Sequence, residues 1–160
     1  GDNKQQGNWG EFILAKVLES SGLTEGVEFE LQFSTTDDNG SKIQPDVLIK
    51  LPEDKHIVVD SKVSLNAYND WVNENDESLK ESHLKLHIAS IKSHIKLLSE
   101  KSYHSGKGIN SPEFVLLFIP IESSFSAIIR HEKDIWNYNN FGYSYSCWSF
   151  YNGKCYCGFK

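Results

Sequence analysis

The chain has 160 residues, 39% of them hydrophobic and 12% aromatic, enough for one domain with a buried core and short for two. A formal net charge of −6 excludes a protein that coats nucleic acid by bulk charge, while leaving room for a local basic face. No apolar run approaches the ~18 residues of a membrane span, and no leader pattern opens the chain.

The three cysteines, Cys147, Cys155 and Cys157, fit neither a disulfide framework nor a zinc spacing, which points to a reducing compartment. The sequence contains no Met, as expected of a processed chain or a piece of a longer one.

In chain order, "NWGEFILAKVLESS" (8–21) predicts a helix. Trp9, Phe12, Ile13 and Val17 form one apolar stripe, Leu14 and Leu18 widen it, and Trp9 is expected as a core anchor. "VEFELQF" (27–33) alternates as a half-buried strand does, and "TTDDNGSK" (35–42) is a loop of turn formers. "DVLIKL" and "HIVVDSK" are apolar on both faces, as central strands covered on two sides would be. Residues 78–103 predict one long helix whose seam runs Leu84, Ile88, Ile91, Ile95, Leu98. "EFVLLFIPIE" (113–122) is a further buried strand, and 123–136 a helix. The expected architecture is α/β: a small mixed β-sheet flanked by helices.

The charged residues in those central strands raise the question of chemistry. With an odd number of residues in the connecting loop, Asp46 shares a face with Asp60 and Lys62; with an even number it does not. In the odd case two carboxylates and an ammonium stand on rigid strands, a donor set suited to Mg²⁺ or Mn²⁺. A hard cation there would polarise a phosphodiester and acidify a water, with Lys62 placed to assist. Glu11, on the helix face of Leu14 and Leu18, is the candidate third carboxylate. The competing reading is a salt-bridged trio at strand ends, because P-D and D-x-K are short motifs.

The blocks "KQQGNWGE", "LESSGLTEGVEFE", "QPDVLIKLP", "VVDSKVSLNAY", "HIASIKSHIKLLSEKSY" and "FVLLFIPIE", in that order, resemble the RmuC family of DNA recombination proteins. The similarity runs from Lys4 to Glu122 and, more weakly, to Trp136. It implies a nuclease-like domain over 1–136 with the restriction-endonuclease-like core of the PD-(D/E)xK superfamily. In that core Asp46 takes the place of the first metal carboxylate, Asp60 and Lys62 that of the D-x-K, and Glu11 that of the first-helix acid. The resemblance further implies Mg²⁺ or Mn²⁺ as cofactor and DNA as partner, in hairpin or inverted-repeat form, with a role in limiting inversions at such repeats. It implies a bacterial cytoplasmic location, with an inner-membrane anchor and a coiled coil in full-length relatives. The alternatives are a DNA-binding or scaffold module that keeps the nuclease fold without turnover, and a structural fragment inactive without the coiled coil.

Two segments remain. On the long helix, Lys85, Lys92 and Lys96 lie on one flank of the seam, and His83, His87, His94 and Lys101 on the other. Lys92, Lys96 and Lys101 are candidate phosphate contacts, and His87, His94 and Tyr103 candidate hydrogen-bond donors to DNA; the competing reading is a solvated helix face. His83 and His87 have a zinc-compatible spacing but no further ligand, so zinc is rejected. Glu122 either faces the site or caps the next helix. Residues 137–160, "NYNNFGYSYSCWSFYNGKCYCGFK", depart from the family, which continues there with an apolar strand and a Pro-containing turn. A single-base shift of reading frame would account for the departure, and would leave the sheet without its last strand and with an unpaired edge; the alternative is a genuinely divergent tail.

Overall fold

The computed structural model describes residues 2–61, 66–121, 123–124, 127, 130, 145–151 and 154–159, of which 2–6, 145–151 and 154–159 are described by their backbone path alone. The chain opens with helix α1 (Asp2–Ser20). Strand β1 (Phe29–Leu31) follows, then a small hairpin of β2 (Thr35–Thr36) and β3 (Lys42–Ile43), where the sequence predicted only a loop. Asp37 builds its turn by accepting the backbone N–H groups of Asn39 and Ser41. The two central runs become β4 (Val47–Leu51) and β5 (Lys55–Ser61).

Helix α2 (Asn66–Asn73) lies in a stretch to which the sequence assigned no element. Helix α3 (Glu77–Ser99) starts at Asp76, whose carboxylate accepts the N–H groups of Ser78 and Leu79. It stops four residues before the predicted end, and the chain turns through a short 3-10 segment, Tyr103–Ser105, into β6 (Leu116–Ile119). Ser123, Ser124, Ala127 and Arg130 are helical, as the pattern over 123–136 predicts; the rest of that stretch lies outside the described residues. Two strands, β7 (Tyr145–Tyr151) and β8 (Lys154–Phe159), close the chain.

Six strands form one mixed sheet in the order β1-β4-β5-β6-β8-β7. The β4–β5 pair is antiparallel, β5–β6 parallel and β6–β8 antiparallel. β8 thus covers the outer edge of β6, so the edge expected to be unpaired has a partner. The tail's alternation of small and aromatic residues is a strand pattern in its own right.

The sheet is covered on both faces. On one, Val47, Val59, Phe29 and Phe118 pack against Leu14, Ala15 and Leu18 of α1. On the other, Leu48, Val58, Leu117 and Ile119 pack against Leu84, Ile88, Ile91 and Leu98 of α3. The predicted seam of α3 is therefore the packed one, with Ile95 at its margin. On α1 the expectation needs correction: Trp9 and Phe12 are 41% and 57% exposed. At 100° per residue both sit on the far side of the helix from Leu14, so Trp9 is no core anchor. Among the described residues no helix is long and apolar enough to cross a membrane.

Candidate functional site

The loop joining β4 to β5 is Pro52–Asp54, three residues, so the parity condition for a shared face is met. The register differs from the expected one by two residues along β5. Val47 faces Val59, and extending the ladder by one residue sets Asp46 against Asp60 rather than against Lys62. Lys62 itself lies outside the described residues, as does Glu122. Asp60 pairs with Leu117 of β6, whose side chain belongs to the α3-side core, so Asp60 points beneath α3.

There Asp60, 4% exposed, meets three donors from one region of the chain. The Tyr103 hydroxyl donates to its Oδ1 at 2.8 Å, and Lys101 Nζ reaches the same oxygen at 3.5 Å. His94 Nε2 lies 3.1 Å from Oδ2; because an ionised carboxylate only accepts, that nitrogen carries the proton. Lys101 also donates to the Tyr103 oxygen at 2.8 Å. Burial alone would push the Asp60 carboxyl up, but the His94 hydrogen bond, the Lys101 charge and the Tyr103 hydrogen bond outweigh it and hold it below the ordinary range. Burial and the Asp60 charge conversely raise the Tyr103 hydroxyl, which stays a proton donor.

Asp46 has the opposite balance. Burial first, then the neighbouring Asp60 charge and, more weakly, Glu11, push its carboxyl up to about 7, against the Ser61 N–H, which donates at 2.7 Å, and the Lys101 charge. Two coupled carboxylates therefore stand at adjacent strand ends, one ionised and one holding its proton to near neutrality. Glu11 is half-buried at the rim, where its Oε2 accepts from Gln32 Nε2 at 2.7 Å, and Gln32 Oε1 accepts from Gln44 Nε2 at 2.7 Å. Sequence reasoning missed Gln32 and Gln44, whose only signal is that Gln44 precedes the P-D pair.

Not every expected DNA contact reaches this place. His94, Lys101 and Tyr103 do, through Asp60. His87 is a correction: it is 0% exposed, shares a 2.8 Å hydrogen bond with Ser124 Oγ, and lies against the Tyr68 ring, so it has no face to offer DNA. Desolvation lowers its pKa and keeps it neutral. Lys92 and Lys96 project from the opposite flank of α3 to His94, away from Asp60.

Among the described residues no three His, Cys, Asp or Glu side chains gather closely enough to hold a metal ion. The pair alone still suits a hydrated Mg²⁺-like cation, which commonly takes one or two carboxylates and fills its other positions with water and phosphate oxygens. The three donors leave one acceptor position on Asp60 Oδ2 among the described residues, and the raised Asp46 carboxyl is the group a nearby positive charge would ionise.

Comparison with known proteins adds the lineage. The RmuC family profile matches residues 1–140. The chain belongs to the RmuC family. It is 50% identical over 135 residues to the DNA recombination protein RmuC of Salmonella typhimurium and 45% identical over 135 residues to that of Escherichia coli K12. To the RmuC homolog of Pseudomonas aeruginosa it is 48% identical over 132 residues. These alignments cover 82–84% of this chain but only 28–29% of each relative, so the chain spans less than a third of the RmuC proteins it matches. No solved structure matches it.

Proposed function

We propose that this RmuC domain is a Mg²⁺- or Mn²⁺-dependent DNA phosphodiesterase with a PD-(D/E)xK-like core, acting in DNA recombination on hairpin or inverted-repeat structures. The observation that carries the reading is the Asp46–Asp60 pair: two coupled carboxylates at adjacent strand ends with the Asp46 carboxyl raised to about 7. Such an arrangement is unfavourable in isolation and is relieved by a bound cation. Asp46 and Asp60 would hold that cation, with Glu11 beside them at the rim. The cation would supply Lewis-acid polarisation of the phosphate and an acidified water. His94 and Tyr103 hold Asp60 ionised and in one orientation. Lys101, half exposed beside it, offers an ammonium to a phosphate oxygen. Lys62, two residues beyond Asp60, is assigned the lysine role of the motif.

The test is cleavage of labelled hairpin and linear DNA with Mg²⁺, with Mn²⁺ and with chelator, beside Asp60→Ala. Metal-dependent cutting that disappears in the variant is expected; no cutting under any condition would overturn the reading. A second reading has its own observation: Asp60 already has the Lys101 ammonium beside it and hydrogen bonds with His94 and Tyr103, without any cation. On that reading the domain binds DNA without turnover, and binding would persist in chelator and in Asp60→Ala.

A further inference from the structure

Gln32 follows β1 directly and adopts a left-handed backbone, φ 52°, which is unfavourable for any residue but Gly, Asn or Asp. It is solvent-exposed, so no core packing explains the conformation. Its polar groups explain it better. The backbone N–H donates to the Asp46 carbonyl at 2.9 Å, one residue before β4. The side-chain amide donates to Glu11 and accepts from Gln44. Because a carboxylate only accepts, Glu11 fixes which end of the amide faces it, and the amide in turn fixes Glu11. One strained residue thus connects the first-helix acid, the Q-P-D turn and Asp46.

We propose that Gln32 is a positioning residue of the Asp46–Asp60 cation site, fixing Asp46 through its backbone and Glu11 through its side chain. The inference rests on the cation reading above and extends it. Among the described residues Glu11 does not close a three-ligand cluster with the two aspartates; held by Gln32, it would orient waters that a hydrated cation keeps. A partner of this kind affects affinity more than folding, since an exposed amide hydrogen bond adds little to stability.

The test is titration of the 160-residue chain with Mn²⁺ alone, followed by the loss of the free-ion paramagnetic resonance signal, for wild type, Gln32→Gly, Gln32→Asn and Asp46→Asn. Unfolding midpoints are measured in chelator. Gly keeps the left-handed backbone and its N–H while deleting the amide; Asn tolerates the backbone but is too short to span Glu11 and Gln44. Both are expected to weaken Mn²⁺ binding about 10-fold or more, with midpoints equal to or above wild type. Wild-type affinity in Gln32→Gly, with Asp46→Asn impaired, would overturn the inference and leave the cation site standing. Parallel loss of midpoint and affinity would make Gln32 a folding residue and overturn it too. No Mn²⁺ binding by wild type at millimolar concentration would remove both the inference and the cation reading.

Discussion

At the scale of single residues, the two aspartates respond to pH in opposite senses. The Asp46 carboxyl is near 3.8 when unfolded and about 7 when folded. The folded chain therefore holds a proton that the unfolded chain has released. That contribution is fully present below 3.8 and is lost as pH rises through 7. Asp46→Asn keeps an acceptor for Ser61 N–H and removes the buried charge. Its unfolding midpoint at pH 8 in chelator is expected to exceed wild type by on the order of 5 °C, and to match it at pH 4. Adding Mn²⁺ at pH 8 should raise the wild-type midpoint and leave that of the variant in place; a rise of equal size in both would place the cation elsewhere. Asp60 is depressed, so its contribution is present above the unfolded value and lost as pH falls through the folded one. Tyr103→Phe deletes the shortest of its side-chain hydrogen bonds. A loss of about 1–2 kcal/mol at pH 7, shrinking as pH falls below the unfolded value of 3.8, is expected in denaturant titrations. A loss constant across that range would show that Tyr103 acts through packing alone.

At the scale of elements, the site depends on where α3 stops. A helix continued to 103 along its seam would carry Tyr103 away from Asp60; instead Lys101 N–H bonds Leu98 C=O and the 3-10 turn brings Tyr103 under β5. That turn is braced by the β2–β3 hairpin. Lys107 N–H bonds Thr36 C=O, and Thr35 Oγ1 donates to Lys107 C=O. Gly106 sits in the joint, where an added Cβ would stand 2.9 Å from Ile109 Cδ1 and from Thr35 Cγ2. Gly106→Ala is therefore expected to cost about 1–3 kcal/mol through crowding and to loosen the turn carrying Tyr103. Faster amide exchange at Lys107 is the local readout, and unchanged exchange would show that the hairpin yields without disturbing the turn. None of this was visible in the sequence. Periodicity located α1, α3 and the central strands because each buries an apolar face. The hairpin and the turn are held by backbone hydrogen bonds and a glycine, which leave no periodic trace. The burial of His87 was hidden for a related reason: at its position on the flank of the seam, a polar residue reads as solvent-facing until Ser124 arrives from a distant segment.

At the scale of the whole molecule, the sheet puts both aspartates on one face because the β4–β5 loop is odd, a parity the sequence posed but did not decide. The pairing of β5 with β6 and the covering of β6 by β8 are non-local and had to come from the structure. On the proposed function, the same geometry sets the direction from which a nucleic acid would reach the site. The long helix carries lysines on one flank and His94 on the other, with Lys101 just past its end. Only the second flank borders Asp60. With a net charge of −6, few phosphates can be neutralised, so the slope of log affinity against log salt is expected to be shallow, about −2 to −3 for duplex DNA. Loss of one phosphate contact lowers that slope by about 1. Lys101→Ala should do so. Lys96→Ala and Lys16→Ala, the latter on α1 and paired with Glu19, should leave it unchanged. Were Lys96→Ala to flatten the slope and Lys101→Ala to leave it intact, DNA would ride on the lysine flank, and the Asp46–Asp60 pair would lie off its path.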